Sequence, residues 1–341
     1  MKILFIWFLT FVLIFSAFSG GVKEAPKEAP ELKQTIYMIT HSMPGDVFWG
    51  TVYKGMNDAA TALGVKAIYL GSKVSGDVAE MIANLETAIE AKPDGIAISV
   101  TNPKALEPLL RRAIDQGIPV VAINVADFRP EGERIPYLRY IGEDSYLTGV
   151  EQAKAVLKVF QEKYGRPPKA VVFGTHEPGN VVQVKRAEGV IDTVKKAGTK
   201  VAEVINIEYD PSRTTEIMRA YLEIHPDVEY IATGSSIVAH WMVGLLEDLN
   251  RLGMTTKPVK EGNTFIGGID VSEQIIQDII DGKVVATLDQ QQYLQGLYGI
   301  QLLYLWNKNR YMQGNDIATG PFVIDRSNAQ GIRDLIKAGK R

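Results

Sequence analysis

The chain has 341 residues, with 40 acidic against 37 basic side chains, four histidines and no cysteine. Without thiols it has neither disulfides nor thiolate metal centres, so it must hold together by burying a core. The near-balanced charge, with no long basic run or basic, aromatic-studded face, argues against nucleic acid as a partner.

Lys2 is followed by an apolar run from Ile3 to Phe15 and then by small residues from Ser16 to Gly21. This is the form of a secretory signal over residues 1–20, with Ala17-Phe18-Ser19 as the cleavage site, and it predicts a periplasmic, exported protein. The same stretch approaches the roughly 17 residues at which a helix begins to span a bilayer, so an uncleaved N-terminal anchor is the alternative. Residues 21–34 repeat Lys-Glu-Ala-Pro, a composition that cannot bury a core and reads as a linker. About 310 residues remain, which favours two domains.

From Thr35 onward short β-branched runs alternate with longer helical patterns, the signature of βαβ units and parallel sheets. Strands are predicted at 35–40, 66–70, 95–100, 119–124 and 139–141, and again at 170–174, 201–208, 230–233, 264–269 and 284–288. Helices are predicted at 51–63, 77–91, 103–116, 146–164, 181–196, 213–223, 237–252 and 273–281. Asn102-Pro103 and Asp210-Pro211 mark helix starts, and Gly64, Gly117, Gly198 and Gly253 mark ends. The series pauses near Glu143-Asp144 and then repeats, which predicts an α/β fold of two doubly wound parallel-sheet lobes joined by a multi-strand hinge. The expected division is 35–143 with 291–316 in the N-terminal lobe and 144–290 with 317–341 in the C-terminal lobe. The helix 293–308 and the tail 321–324 are expected to cross between them.

Ligands of open α/β sheets sit at the carboxyl ends of the strands. Those ends carry His41, Asp46, Phe48 and Trp49 after the first strand and Asn124 after the fourth. In the second series they carry His176, Glu177, Asn180, Tyr209, Asp210, Ser235, Ser236, Asp270, Asp289 and Gln290. Aromatic faces beside carboxylates and carboxamides suit a ring with an apolar face and a rim of hydroxyls, hence a sugar or cyclitol. Each residue also has a purely structural reading. Phe48 and Trp49 can cover the core end, Asp210 reads as a helix cap, and Ser235 and Asp270 can either cap a helix or contact ligand. One of Asp289, Gln290 and Gln291 is expected to point inward. His41 and His176 lack metal-ligand spacing and read as loop polarity first, with hydroxyl contact second. No nucleophile elbow, phosphate loop, dinucleotide fingerprint or zinc spacing is present, so neither catalysis, cofactor nor metal is expected.

With these residues in view, the chain resembles the periplasmic sugar-binding proteins of the ribose-binding type, receptors that feed ABC importers. The resemblance rests on Phe48-Trp49, on Ile-Pro-Val-Val-Ala-Ile-Asn ending at Asn124, and on His-Pro-Asp-Val at 225–228 leading to Ser235. It rests further on Gly-Gly-Ile-Asp ending at Asp270, on the strand ending in Gln290, on Tyr209, and on the closing Thr-Gly-Pro-Phe-Val-Ile-Asp. It implies a type I periplasmic binding protein fold and a ligand site of Asp46, Phe48, Trp49, Asn124, Asn180, Tyr209, Ser235, Asp270 and Gln290, with His41 and His176 less certain. It implies a monomer that delivers a monosaccharide, sugar alcohol or inositol to a membrane permease and its ATPase, with Glu80, Arg111 or Lys185 on the rims available for docking. Two arginines of ribose binders are replaced here by Val125 and Val184, which predicts a neutral, amide-rich site with Asn180 as replacement donor. The rival readings are a secreted carbohydrate-active enzyme and a chemoreceptor ligand carrier with the same cleft.

Overall fold

The computed structural model describes residues 34–341 apart from Ser75, Val259, Glu261 and Gly339, so the expected leader and all but the last residue of the expected linker lie outside the described residues. The first lobe begins with β1 (Gln34–Thr40), α1 (Val47–Leu63), β2 (Val65–Gly71), α2 (Val78–Glu90) and β3 (Gly95–Ile98). It continues with α3 (Pro103–Asp115), β4 (Val120–Ile123) and β5 (Tyr140–Glu143). The second lobe runs α4 (Ser145–Tyr164), β6 (Ala170–Thr175), α5 (Val181–Lys196), β7 (Val201–Asn206), α6 (Pro211–Ile224) and β8 (Val228–Thr233). Next come α7 (Ser236–Asp248), β9 (Phe265–Ile269), α8 (Glu273–Asp281) and β10 (Ala286–Asp289). The chain closes with α9 (Gln292–Asn309), β11 (Ile317–Gly320), β12 (Phe322–Asp325) and α10 (Ala329–Lys337).

Two six-stranded sheets result, in the orders β2-β1-β3-β4-β5-β11 and β7-β6-β8-β9-β10-β12. Every pairing is parallel except that of β12 with β10. Parallel sheets need cover on both faces, and the strands supply apolar groups to both. Ile36, Met38, Val121 and Ile123 pack with α1 and α9, while Ile39, Ile96, Ile98, Val120 and Ala122 pack with α2 and α3. In the second sheet Val171, Phe173 and Tyr230 face α4 and α5, and Val172, Ile231 and Ile266 face the opposite helices.

Helix boundaries follow capping chemistry. Asp46 accepts from the N–H groups of Phe48 and Trp49 to start α1, and Gly64 at φ 64° ends it. Asp210 caps α6 through the N–H of Arg213, as its place before Pro211 predicts. Each lobe also seats one helix pair at backbone contact. A Cβ on Gly55 or Gly296 would collide with a carbonyl of the facing helix in the α1/α9 pair, and so would one on Gly149 or Gly189 in the α4/α5 pair.

The chain passes between the lobes at Asp144, at Gln290-Gln291 and at Pro321. Two of these passages are tied together, because the Asp144 N–H donates to the Gly320 carbonyl at 3.4 Å. The remaining passage is tied to the same segment by Gln291, whose side-chain amide donates to the Thr319 carbonyl at 2.6 Å. Two expectations need correcting here. Residues 317–320, expected in the C-terminal lobe, pair as β11 with β5, Ile317 opposite Ile141, so the last passage falls after Gly320. The helix expected to cross between lobes is α9, which packs on α1 within the first lobe.

Candidate functional site

The carboxyl ends of the two sheets face a common cavity of about 200 Å³, and all eleven residues expected in the ligand site line it, whereas the strand-end residues Asp210 and Asp289 do not. Pockets for drug-sized ligands run to roughly 300–1,000 Å³, so this one suits a single small ring.

At its centre is a hydrogen-bonded series that joins the lobes. The Asn124 side-chain amide, at the end of β4, donates to Oε1 of Gln290 at 3.3 Å, and the Gln290 amide donates to Oδ1 of Asp270 at 2.6 Å. Asn124 and Asp270 both adopt positive φ, 61° and 71°, which turns each strand end sharply toward the cavity. Asp270 is free for this role because the cap of α8 is Ser272, whose hydroxyl accepts from the Ile275 N–H at 3.2 Å. Of the three polar residues at the end of β10, Asp289, Gln290 and Gln291, it is Gln290 that lines the cavity. Asp289 instead accepts from the Gln291 N–H at 2.7 Å and pairs with Arg341.

The aromatic residues divide. Trp49 is only 4 % exposed and belongs to the first lobe's core, with the His41 ring edge-on at 4.8 Å. Phe48, half-buried and edge-on to Trp49 at 5.1 Å, offers the freer face. Across the cavity Tyr209 is 51 % exposed and packs on the His176 ring at 4.8 Å. Ser235 occupies the N-cap position of α7, but its side chain makes no capping bond. Asp46 and Asn180 line the cavity while capping α1 and α5, and Asn180 also donates to Glu177 at 2.6 Å.

The electrostatics depart from the expected neutral set. Arg186 lines the cavity, only 3 % exposed, with its guanidinium 2.6 Å from Glu143 and donating to the Gly234 carbonyl at 3.2 Å. Glu143 is anchored in turn by the Thr148 hydroxyl at 2.8 Å. Val184, by contrast, is 43 % exposed and lies away from the cavity, so the guanidinium is supplied two residues further along α5. The signal was present in the sequence. Val182, Gln183, Arg186, Ala187 and Val190 share the helix face that is buried, and a charge in that stripe marks a group with a buried partner. Glu177, Gln183 and Ser236 also line the cavity.

Burial pushes the Asp270 carboxyl up to about 7, against the opposing pull of Arg186. Burial takes His41 down to about 4, and burial reinforced by Arg186 does the same to His176. Both imidazoles are therefore neutral near pH 7. The Nδ1 atom of His176 and Oε1 of Gln183 are buried without a hydrogen-bond partner, unmet polar capacity of the kind a polar ligand satisfies. Among the described residues no group of three or more His, Cys, Asp or Glu is placed to hold a metal ion, and no helix is long and apolar enough to cross a membrane. The rim groups Arg111 and Lys185 pair locally with Glu107 and Glu188, and Glu80 accepts from the Lys73 N–H.

A family model described as a periplasmic binding protein domain matches residues 36–308, and the chain belongs to that family. It is 29 % identical over 302 residues to the xylose/arabinose-binding protein XylF of Sulfolobus acidocaldarius, a match covering 86 % of this chain and 72 % of that protein. It is 27 % identical to the D-ribose/D-allose-binding protein of Pseudomonas aeruginosa, with 68 % of each chain covered. Among solved structures it is similar to a carbohydrate transporter of Acidothermus cellulolyticus in complex with myo-inositol. That match has a TM-score of 0.75 and 27 % identity, and covers 90 % of this chain and 99 % of the other. The fold is thus that of a type I periplasmic binding protein, two parallel-sheet α/β lobes with the cavity between them.

Proposed function

We propose that this protein captures one monosaccharide or cyclitol in the interlobe cavity outside the cytoplasm and delivers it to the membrane permease of an ABC importer. The observation that carries the reading is the Asn124–Gln290–Asp270 series, which joins polar groups of both lobes beside the Phe48 ring. A ligand that inserts its hydroxyls among these groups contacts both lobes at once. It therefore favours the closed arrangement by the difference in its affinity for the closed and open states. The names of the relatives, which include pentose, ribose/allose and inositol binders, support the same ligand class. The ligand contacts proposed are Asp46, Phe48, Trp49, Asn124, Asn180, Tyr209, Ser235, Asp270 and Gln290, with His41 and His176 beside them and Arg186 added. Binding without turnover is the expected chemistry.

The test is a thermal-shift screen of the purified protein against pentoses, hexoses, sugar alcohols and inositols. A ligand at a hundred times its dissociation constant should stabilise the fold by about 2.7 kcal/mol. Hydrolysis or modification of the bound sugar, or no shift with any member of these classes, would overturn the reading.

A further inference from the structure

The cavity lining carries more negative charge than positive. It includes the carboxyl groups of Asp46 from the first lobe and of Glu177 and Asp270 from the second, of which Asp270, raised by burial to about 7, is only partly ionised near neutral pH. Among the described residues Arg186 is the one cation in the lining, and its charge is already matched by Glu143 at 2.6 Å. The two histidines are neutral near pH 7, as their lowered pKa values require. The Tyr209 ring packs at 4.8 Å on the ring of His176, the neighbour of Glu177 in the chain, and its phenol is held up by burial and by the charges of Asp46, Asp270 and Glu177.

The hydrogen-bond accounting separates two kinds of group. The carboxamides of Asn124, Gln290, Asn180 and Gln183 each direct one N–H at a protein oxygen and keep a second, which suits a hydroxyl. Asp46 and Asp270 each make their side-chain bonds through Oδ1, and Glu177 makes its bond through Oε2. The second oxygen of each accepts from no described protein group. Gln183 is 4 % exposed, and its Oε1 is a buried acceptor with no partner, its orientation fixed by the bond from its amide to the Gly234 carbonyl. A hydroxyl brings one donor together with two lone pairs that want donors of their own. An ammonium brings three donors, no acceptor and a positive charge.

We propose that the cavity selects a polyhydroxylated ligand carrying a protonated amine, an amino sugar or amino cyclitol, over its neutral counterpart, and rejects uronates and sugar phosphates. This deepens the sugar-binding reading and rests on it. The ammonium sits at the Tyr209 end, between Asp46 of one lobe and Glu177 of the other, where closing the lobes brings opposite walls onto one charge. Hydroxyls on the rest of the ring meet Asn124, Gln290 and Asp270.

Isothermal titration near neutral pH with matched probes tests this. The pairs are D-glucose with D-glucosamine, D-galactose with D-galactosamine, and myo-inositol with an amino-deoxy-inositol, with glucuronate and galacturonate as anions. In at least one pair the amine should bind tenfold or more tightly than its neutral partner. That gap should narrow severalfold in Glu177→Gln and with added sodium chloride, because screening weakens charge attraction and leaves hydroxyl bonds largely intact. A neutral member binding as tightly as its amine in every pair, a uronate binding comparably, or a gap indifferent to both Glu177→Gln and salt overturns the proposal and leaves the sugar-binding reading standing. Binding of no member of any pair, in a protein that also fails the wider screen, removes both.

Discussion

The two lobes share one strand order but furnish the cavity differently. The first contributes mostly rings and aliphatic surface, Val47, Phe48, Trp49 and Val125, and its polar members His41, Asp46 and Asn124 each spend part of their hydrogen-bonding capacity on the protein. Asp46 caps α1 with one oxygen, and Asn124 donates to Gln290. The second contributes most of the charged and unmet groups, Glu177, Arg186, Asp270, His176 and Gln183. Topology thus fixes where the cavity lies, and the residues at helix starts and strand ends fix what each wall offers. On the proposed reading the first lobe is mainly a surface to lie against, with Asp46 as its charge, and the second sets most of the hydroxyl and charge preferences.

The largest effect expected from this division is on stability. Arg186→Ala leaves Glu143 buried without its partner and should cost about 3–5 kcal/mol in urea unfolding. Phe48→Ala, on the half-buried face of the first lobe, should cost less than half as much, and equal losses would erase the asymmetry. Ligand binding comes next. Asp270→Ala should abolish ligand-induced stabilisation while the unliganded protein still unfolds cooperatively. Phe48→Ala should weaken binding by only about 0.5–1.5 kcal/mol, the worth of one ring contact. A titration in which Phe48→Ala loses as much affinity as Asp270→Ala would show that the apolar wall carries the recognition.

The smallest effect is on the pH profile, because titrations within the second lobe oppose one another. His41 and His176, lowered to about 4, take up fewer protons folded than unfolded, so each makes stability rise between about pH 4 and 6.5. Asp270 is raised from 3.8 to about 7, so the stability it contributes is greatest below pH 3.8 and is lost as pH rises toward 7. Between pH 4 and 6.5 Asp270 therefore offsets His176, and the first lobe's His41 is left unopposed. His41→Gln should flatten the rise of the urea midpoint over that window. An unchanged slope would place the titrating group elsewhere.

Much of this was legible in the sequence. Parallel strands buried on both faces read as continuous apolar runs such as Val120–Ile123, and the polar residues at their carboxyl ends fall on one side of each sheet whatever the loop details. What escaped reading depended on three-dimensional pairing. Arg186 was hidden because its partner Glu143 is 43 residues away, on the strand before the first passage between lobes. The double duty of Asp46 and Asn180 was hidden because one side chain can cap a helix with one atom and face a cavity with another. The place of β11 was hidden because Ile317–Asp325 reads as one extended run, although Gly320-Pro321 divides it between the two sheets.

That split strand bears on how the molecule assembles during synthesis. The first sheet completes its edge only when Ile317 pairs with Ile141, and one helical cover of that sheet, α9, begins at Gln292. In the second sheet β6 to β10 span a nearly continuous stretch, from Ala170 to Asp289, and only the edge strand β12 and the helix α10 come later. As the nascent chain lengthens, the half that emerges first therefore waits for segments made after most of the second half. Until then it exposes the apolar face of β1, β3 and β4 that α9 will cover, which is the surface a holding chaperone would grasp to keep the polypeptide unfolded.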